Sequence, residues 1–516
     1  MQRRLLYVLL SALLLAMGWW GISGLQLLVA LIPLLMISSQ YSDSKRDWWR
    51  MAGWAALTFV LWNALTVWWV WNATPIGPIA ATAFATFWNL VAFMLYHYVS
   101  KRAHKSVAYT LLAVAWVATE YLFTHAEVLS FPWLMLGNGF SGDVWAVQWY
   151  EWTGVFGGSL WVVVANIAIY EVWQNRYGWP ILRAVLVVLI PIVTSLVLYF
   201  GYEKSADEVQ VAVAQPNVDC YAEKFKGDGM PQLRNLQGLM AEASADTRVV
   251  VFPETALPGP LDEESIERSR SVLEIKNRLQ PQMMVATGVT TIRFYDGDEP
   301  PTITARQGMG GYYDYFNSAL AVGGDGESNI HHKMRLVVGV EAMPFTGLLN
   351  KFVDLGGISG QLGRNDEPTV FEKGGVRFGP AICYEGLYGE CFASFVGEGA
   401  DANVMLVMSN DGWWGNTPGH KRLFDFCRLR AIETRRAIAR SANTGVSGFI
   451  SARGEVEQRL DWDKRGLLQQ KVEVRSDRTI YAIYGDWVGR MSLLISALTL
   501  LYYSAYRIRR KNHLVE

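Results

Sequence analysis

Long apolar runs dominate the first 200 residues, and one more lies near the C-terminus; they limit what this chain can fold into. About 20 apolar residues are needed for a helix to cross the hydrocarbon core of a bilayer. Candidate spans are Leu5–Trp20, Gly24–Ser38, Trp54–Trp71, Ile79–Tyr98, Val107–Phe123, Phe156–Tyr170, Ile181–Tyr202 and Trp487–Tyr506, about eight in all. Basic residues fall only in alternate links: Arg3 and Arg4; Lys45, Arg46 and Arg50; Lys101, Arg102 and Lys105; Arg176 and Arg183; Arg507, Arg509, Arg510 and Lys511. The intervening links near Gly21–Gly24, Asn72–Gly77 and His125–Trp152 have none. By the positive-inside rule the basic side is cytoplasmic, and the long segment between the last two spans faces outward. Arg3-Arg4 before an apolar run also fits a secretory signal, but no A-x-A site follows, so the first span is expected to be retained.

These signals divide the chain into an N-terminal bundle of about seven spans (1–203), an extracytoplasmic domain (204–486) and a C-terminal span with a basic tail (487–516). Of 516 residues 51% are hydrophobic, and the net charge of −1 gives no electrostatic case for nucleic acid. Glu120 interrupts the fifth run and reads either as a group facing a partner or cavity, or as one reaching the interface. The Phe131-Pro132-Trp133 link reads as an interfacial belt or as a lipid entrance.

From Glu208 onward the pattern becomes β-rich alternation broken by helical stretches, the signature of a layered α/β domain. Strands are expected at 209–216, 248–254, 282–290, 317–322, 376–383 and 402–409. Helices are expected at 233–244, 266–279 and 423–438, and a mobile loop at 295–311. Three segments place a reactive group beside a strand end: Phe252-Pro253-Glu254, His331-His332-Lys333 after a short loop, and Ile382-Cys383-Tyr384-Glu385. Strand ends of one sheet converge, and sites of α/β sheets form there. The four cysteines form no CxxC pair, so a free thiol is expected. A carboxylate that takes the thiol proton and an amine that faces an oxyanion complete an acyl-transfer set working through a thioester. Each residue alone has a plain structural explanation: a solvated strand-end Glu, a small buried Cys. His331-His332 lacks further ligands at metal spacing, and the chemistry calls for no cofactor.

Together these segments resemble the nitrilase superfamily. Further matching motifs are Ser409-Asn410-Asp411-Gly412-Trp413-Trp414-Gly415, the Arg428–Arg436 stretch and Ser441-Ala442-Asn443-Thr444-Gly445. With the spans, Phe131-Pro132-Trp133, Gln215-Pro216-Asn217-Val218 and Tyr484-Gly485-Asp486-Trp487, the chain is similar to the membrane-embedded apolipoprotein N-acyltransferase family. That resemblance implies an α-β-β-α sandwich on a membrane bundle of a bacterial inner membrane, with both termini cytoplasmic and the catalytic domain on the periplasmic side. It implies acyl transfer from a glycerophospholipid, typically phosphatidylethanolamine, to the α-amine of a diacylglyceryl-cysteine lipoprotein. The catalytic Glu, Lys and Cys map onto Glu254, Lys333 and Cys383. Two supporting acids map onto Glu341, in Val340-Glu341-Ala342-Met343-Pro344-Phe345, and Glu385; Tyr384 sits beside the nucleophile. Asn410, Trp413 and Trp414 are candidates for substrate contact or a water-excluding lid. The chain departs from the family around Glu341, after Glu120 and in the spacing of His420. A membrane-tethered amidohydrolase and a non-catalytic transporter or scaffold are the alternatives.

Overall fold

The computed structural model describes every residue except 127–128, 176–177, 222, 225–228, 309, 327–328, 343–360 and 513–516. Arg176 and Met343-Pro344-Phe345 therefore lie outside the described residues. The chain forms two compact units, Met1–Gly201 with Tyr484–Glu516, and Tyr202–Ile483.

In the first unit the apolar runs become α1 (Gln2–Met17), α2 (Leu27–Ala30) with α3 (Ile32–Ser39), α4 (Lys45–Val67), α5 (Gly77–Ser100), α6 (Lys105–Thr124), α7 (Tyr150–Gln174), α8 (Trp179–Phe200) and the C-terminal helix Trp487–Asn512. Six of them are long and apolar enough to cross a bilayer, which makes this a multi-pass membrane protein. Against the eight runs, α1 has only 16 residues and the second run breaks at Leu31. Pro33 at the start of α3 has no N–H to continue the ladder. Asn166 of α7 repairs the break, accepting from Leu31 N at 2.7 Å and donating to Leu27 O at 2.7 Å. Backbone groups freed in an apolar bundle need such a partner.

Glu120 is buried rather than at an interface. Its Oε1 accepts from Trp116 Nε1 at 3.0 Å and from Leu136 N at 2.9 Å. Leu136 lies in the link 131–140, whose short 3₁₀ turns pack inside the unit. Trp133, in the link read as an interfacial belt or a lipid entrance, is buried against the Trp69 ring.

The second unit has two sheets. The first runs β14-β1-β2-β4-β6-β5, with β3 on β4 and β7 on β6; the second runs β13-β12-β11-β10-β9-β8. The strands are β1 (Glu208–Gln215), β2 (Val249–Val251), β3 (Leu261–Asp262), β4 (Met284–Tyr295), β5 (Arg306–Gly308), β6 (Gly311–Val322), β7 (Ile330–His332), β8 (Phe371–Lys373), β9 (Val376–Ile382), β10 (Val404–Ser409), β11 (Ile438–Ala442), β12 (Ser447–Ile450), β13 (Val456–Leu460) and β14 (Gly466–Glu473). β1, β2 and β4 are parallel, as are β9, β10 and β11. Parallel neighbours need coverage on both faces. Leu233, Leu236 and Leu239 of α9 (Met230–Ala241) and Val272 and Ile275 of α10 (Arg270–Lys276) cover the first sheet through Val250, Val285 and Leu320. The helix Pro418–Thr434 covers the second. Polar stitches join the sheets: Ser441 Oγ donates to Ala214 O at 2.6 Å and Ser447 Oγ to Gln215 Oε1 at 2.6 Å. The result is an α-β-β-α sandwich.

Two local expectations are corrected. The helix expected to reach Ile438 stops at Thr434, because Arg435 turns left-handed at φ 49° and Ile438 opens β11. The expected loop 295–311 includes β5, paired with β6. Lys333 comes directly after β7, which a short link separates from β6, and its N–H donates to Asn317 O at 2.9 Å.

Candidate active site

Glu254, Lys333 and Cys383, expected at strand ends of one sheet, come from two. Glu254 follows β2 and Lys333 follows β7, both in the first sheet, while Cys383 follows β9 in the second. Stacking the sheets brings the parts together.

Glu254 is buried at the end of a segment that passes very close to β4. A Cβ on Gly288 would lie 2.5 Å from Glu254 Cα, so this crossing requires glycine. Oε1 of Glu254 accepts from Lys333 Nζ at 2.9 Å and from Asn317 Nδ2 at 2.7 Å. Oε2 accepts from Asn410 N at 3.1 Å. Lys333 Nζ also donates to Glu341 at 3.0 Å, and Asn317 Nδ2 reaches the same carboxylate at 2.7 Å. Glu341 Oε2 accepts from Val337 N at 2.8 Å, which fixes its own turn. A buried ammonium thus lies between two carboxylates, with one amide spanning both.

Burial alone would raise the Glu254 carboxyl. Lys333, Asn317 and Lys224 outweigh it and hold the group below its ordinary range. Burial likewise works against the Lys333 charge, but Glu254 and Glu341 prevail and raise that ammonium. The Cys383 thiol is pushed well up, first by burial and then by Glu254, with Lys333 opposing. The resting pair is therefore thiol and carboxylate.

Cys383 adopts φ 47°, a left-handed conformation that costs a residue with a Cβ about 1–2 kcal/mol. Glu385 holds this turn. Its fully buried carboxylate accepts from Ile382 N at 2.5 Å and from Met334 N at 2.7 Å, tying the nucleophile turn to the residue after Lys333. His331 Nδ1 accepts from Thr369 N at 3.3 Å, so its Nε2–H points to Glu385 Oε1 at 3.4 Å. Tyr384 is buried with its ring 5.5 Å from that of Tyr388.

The turn after β10 closes the site from the second sheet. Arg440 Nη2 donates to both oxygens of Asp411 at 3.0 Å, and both groups are buried. Trp413 and Trp414 are half-buried, and Trp413 O accepts from Tyr221 OH at 2.8 Å. With its oxygen turned towards the Lys224 ammonium, the Asn410 side chain accepts from Lys224 Nζ at 3.0 Å and Trp413 Nε1 at 3.2 Å. The reverse orientation offers only Asn443 Nδ2 at 3.1 Å.

His420 is not part of this cluster; its ring packs on Trp462 with centroids 4.6 Å apart. Sequence reasoning missed Asn317 and Lys224. Asn317 had a signal, being an amide at the head of an apolar strand. Lys224 had none, standing in a charged loop.

The sequence pattern of the carbon-nitrogen hydrolases matches residues 210–480, and that of the apolipoprotein N-acyltransferase N-terminal domain matches residues 8–168. An apolipoprotein N-acyltransferase of Chlorobaculum tepidum is 28% identical over 96% of this chain and 95% of its own. One of Gloeobacter violaceus is 26% identical over 94% and 90%. Among solved structures, a CN-hydrolase superfamily protein of Xanthomonas campestris aligns at 15% identity with a TM-score of 0.36, covering 52% of this chain and 91% of its own. The chain belongs to the carbon-nitrogen hydrolase family, joined to an N-terminal domain of the apolipoprotein N-acyltransferase kind.

Proposed function

We propose that this protein is an apolipoprotein N-acyltransferase of the bacterial inner membrane, with its catalytic unit on the periplasmic side and both termini cytoplasmic. The observation that carries the reading is the joining of a Cys-Glu-Lys site to a multi-pass bundle of the matching kind along nearly the whole chain. The alternation of basic links supports the orientation.

The donor is a membrane glycerophospholipid, with phosphatidylethanolamine the leading candidate. As Cys383 Sγ attacks the ester carbonyl, Glu254 takes the thiol proton. Its Oε2 accepts a single hydrogen bond among the described residues and keeps a lone pair for this. Among the described residues Glu254 and Glu341 take two of the three Lys333 N–H bonds, leaving the third for the oxyanion. Collapse breaks the ester C–O bond, and Glu254 returns the proton to the departing lysophospholipid. The neutral α-amine of the diacylglyceryl-cysteine then attacks the thioester, Glu254 takes its proton, and Cys383 leaves to be reprotonated. Ester to amide is downhill and needs no nucleotide.

The test is intact-mass analysis of the full-length protein in sealed right-side-out vesicles with phosphatidylethanolamine, for wild type and Cys383→Ser. An acyl-sized increase on wild type alone, discharged by diacylated lipopeptide added outside, is expected. Discharge by water only makes the protein a lipid hydrolase, and discharge only in inverted vesicles reverses the orientation. Trp413→Ala/Trp414→Ala is expected to raise the share of adduct lost to water several-fold, measured as free fatty acid, because a thioester must be kept dry. Unchanged release would end the lid role for these rings.

A further inference from the structure

A second buried ammonium stands beside the site. Lys224 lies in the loop after β1, and its Nζ donates to the Glu254 backbone carbonyl at 2.8 Å. In the favoured amide orientation it also donates to Asn410 Oδ1 at 3.0 Å. The loop is anchored. Asn443 Nδ2 donates to Val218 O at 2.7 Å, and Asn443 Oδ1 accepts from Val218 N at 3.0 Å. Lys224 N donates to Asp219 O at 2.9 Å, and Lys224 O accepts from Gln232 Nε2 at 2.8 Å. One side chain therefore ties the strand end that carries Glu254, from the first sheet, to the turn after β10, from the second. The same Asn410 donates its backbone N–H to Glu254 Oε2.

A neutral donor would suffice to hold a carbonyl and an amide, whereas burying an ammonium is unfavourable unless nearby anions use its charge. The charged and titratable groups are arranged for that. Lys224 faces Glu254, Cys220 and Cys383, and burial, opposed by these three, lowers its ammonium to about 8. Glu254 faces Lys333 and Lys224. Cys383 faces Glu254, Lys333 and Asp411, the last neutralised by Arg440. Glu341 shares Lys333.

We propose that Lys224 is a positioning residue for the base: it clamps the Glu254 strand end to the Asn410 turn, and its charge keeps Glu254 in the deprotonated form that accepts the Cys383 proton. This rests on Glu254 being the base in the reading above. Lys333 is engaged with Glu341 and the oxyanion as well, so a second cation serves Glu254 through both half-reactions.

The experiment compares full-length wild type, Lys224→Gln and Lys224→Arg. Gln keeps a hydrogen-bond donor without the charge; Arg keeps the charge. The rate of Cys383 acylation by phosphatidylethanolamine is followed from about pH 2.5 to 8, so that the acid limb of wild type falls inside the range, and Cys383 alkylation by iodoacetamide over the same range. With the charge gone, Glu254 protonates more readily. The acid limb of Lys224→Gln is then expected about one pH unit above wild type, about tenfold slower at its foot. Lys224→Arg keeps the wild-type limb even if its rate falls. A limb unmoved in Lys224→Gln, or moved equally in both variants, overturns the proposal and leaves Lys224 a structural clamp. If wild type forms no acyl adduct at any pH, the acyltransferase reading fails instead, and the alkylation profiles decide the role of Lys224.

Discussion

Replacing Lys333 with methionine is expected to slow Cys383 acylation by at least about 10²-fold and to destabilise the catalytic unit by about 3–5 kcal/mol. Methionine matches the stem but leaves Glu254 and Glu341 facing each other without the ammonium both now share. In the proposed mechanism the activity loss follows because the oxyanion loses its cation. The stability loss follows because Glu254 is a buried carboxylate whose charge Lys333 offsets. The pH dependence separates charge from packing. Wild-type Glu254 is held below its ordinary range, so its pairing stabilises the fold above the unfolded pKa of about 4.3. That contribution fades as pH falls through the lower folded value. Lys333 is raised, so its contribution is complete below about 10.4 and is lost as pH rises from there through its folded value. In the variant, burial acts on Glu254 with Lys333 gone, and the carboxyl takes up a proton at higher pH. The stability gap to wild type is therefore widest near pH 8 and narrows towards pH 5. Melting of the full-length protein in detergent at both pH values reads it, as a gap of about 5–10 °C at pH 8. A gap that ignores pH would leave packing as the whole effect.

The membrane part was legible because bilayer thickness sets a length that sequence either meets or misses. At α1 and at the break at Leu31 the runs are apolar but shorter or interrupted, so length alone says less there. The repair of that break by Asn166 is a tertiary fact that no local pattern announces. The three reactive residues were legible because each is an odd polar group beside an apolar strand. Their origin in two sheets was not, since nothing local says which strands pair. The helix expected to reach Ile438 shows a related failure. That expected helix carries Arg428, Arg430, Arg435 and Arg436, with Arg440 just beyond it, and nothing in the sequence marks any of them as buried. Yet Arg430 is buried against Glu433, Arg436 Nε donates to Ala402 O at 2.7 Å, and Arg440 holds Asp411. Buried arginines that find partners look like surface arginines in one dimension. Lys224 is the same lesson on a loop.

Glu385→Ala is expected to reduce the acylation rate constant by at least about 10²-fold while leaving KM for the phospholipid near wild type. Glu385 is fully buried and its carboxylate faces backbone, so its contribution to chemistry passes through geometry. Alanine strands the Ile382 and Met334 N–H groups, at about 1–3 kcal/mol each, and frees the turn that keeps Cys383 at φ 47°. A nucleophile in a strained conformation relaxes once its restraint goes, and misplacement by about 1 Å is enough for that loss of rate. Glu385→Gln is the sharper variant. Its oxygen can keep Met334 N and the His331 Nε2–H, but its NH₂ then faces the Ile382 N–H that now lies 2.5 Å from a carboxylate oxygen. Two donors cannot share that space, so Gln is expected to fall between wild type and Ala, with kcat again the affected constant. Wild-type kcat in Glu385→Gln would mean that one acceptor suffices and that the nucleophile turn and the Lys333 strand are aligned by packing. A matched fall in kcat and rise in KM would instead bring Glu385 into contact with the lipid and require the buried carboxylate to become exposed during turnover.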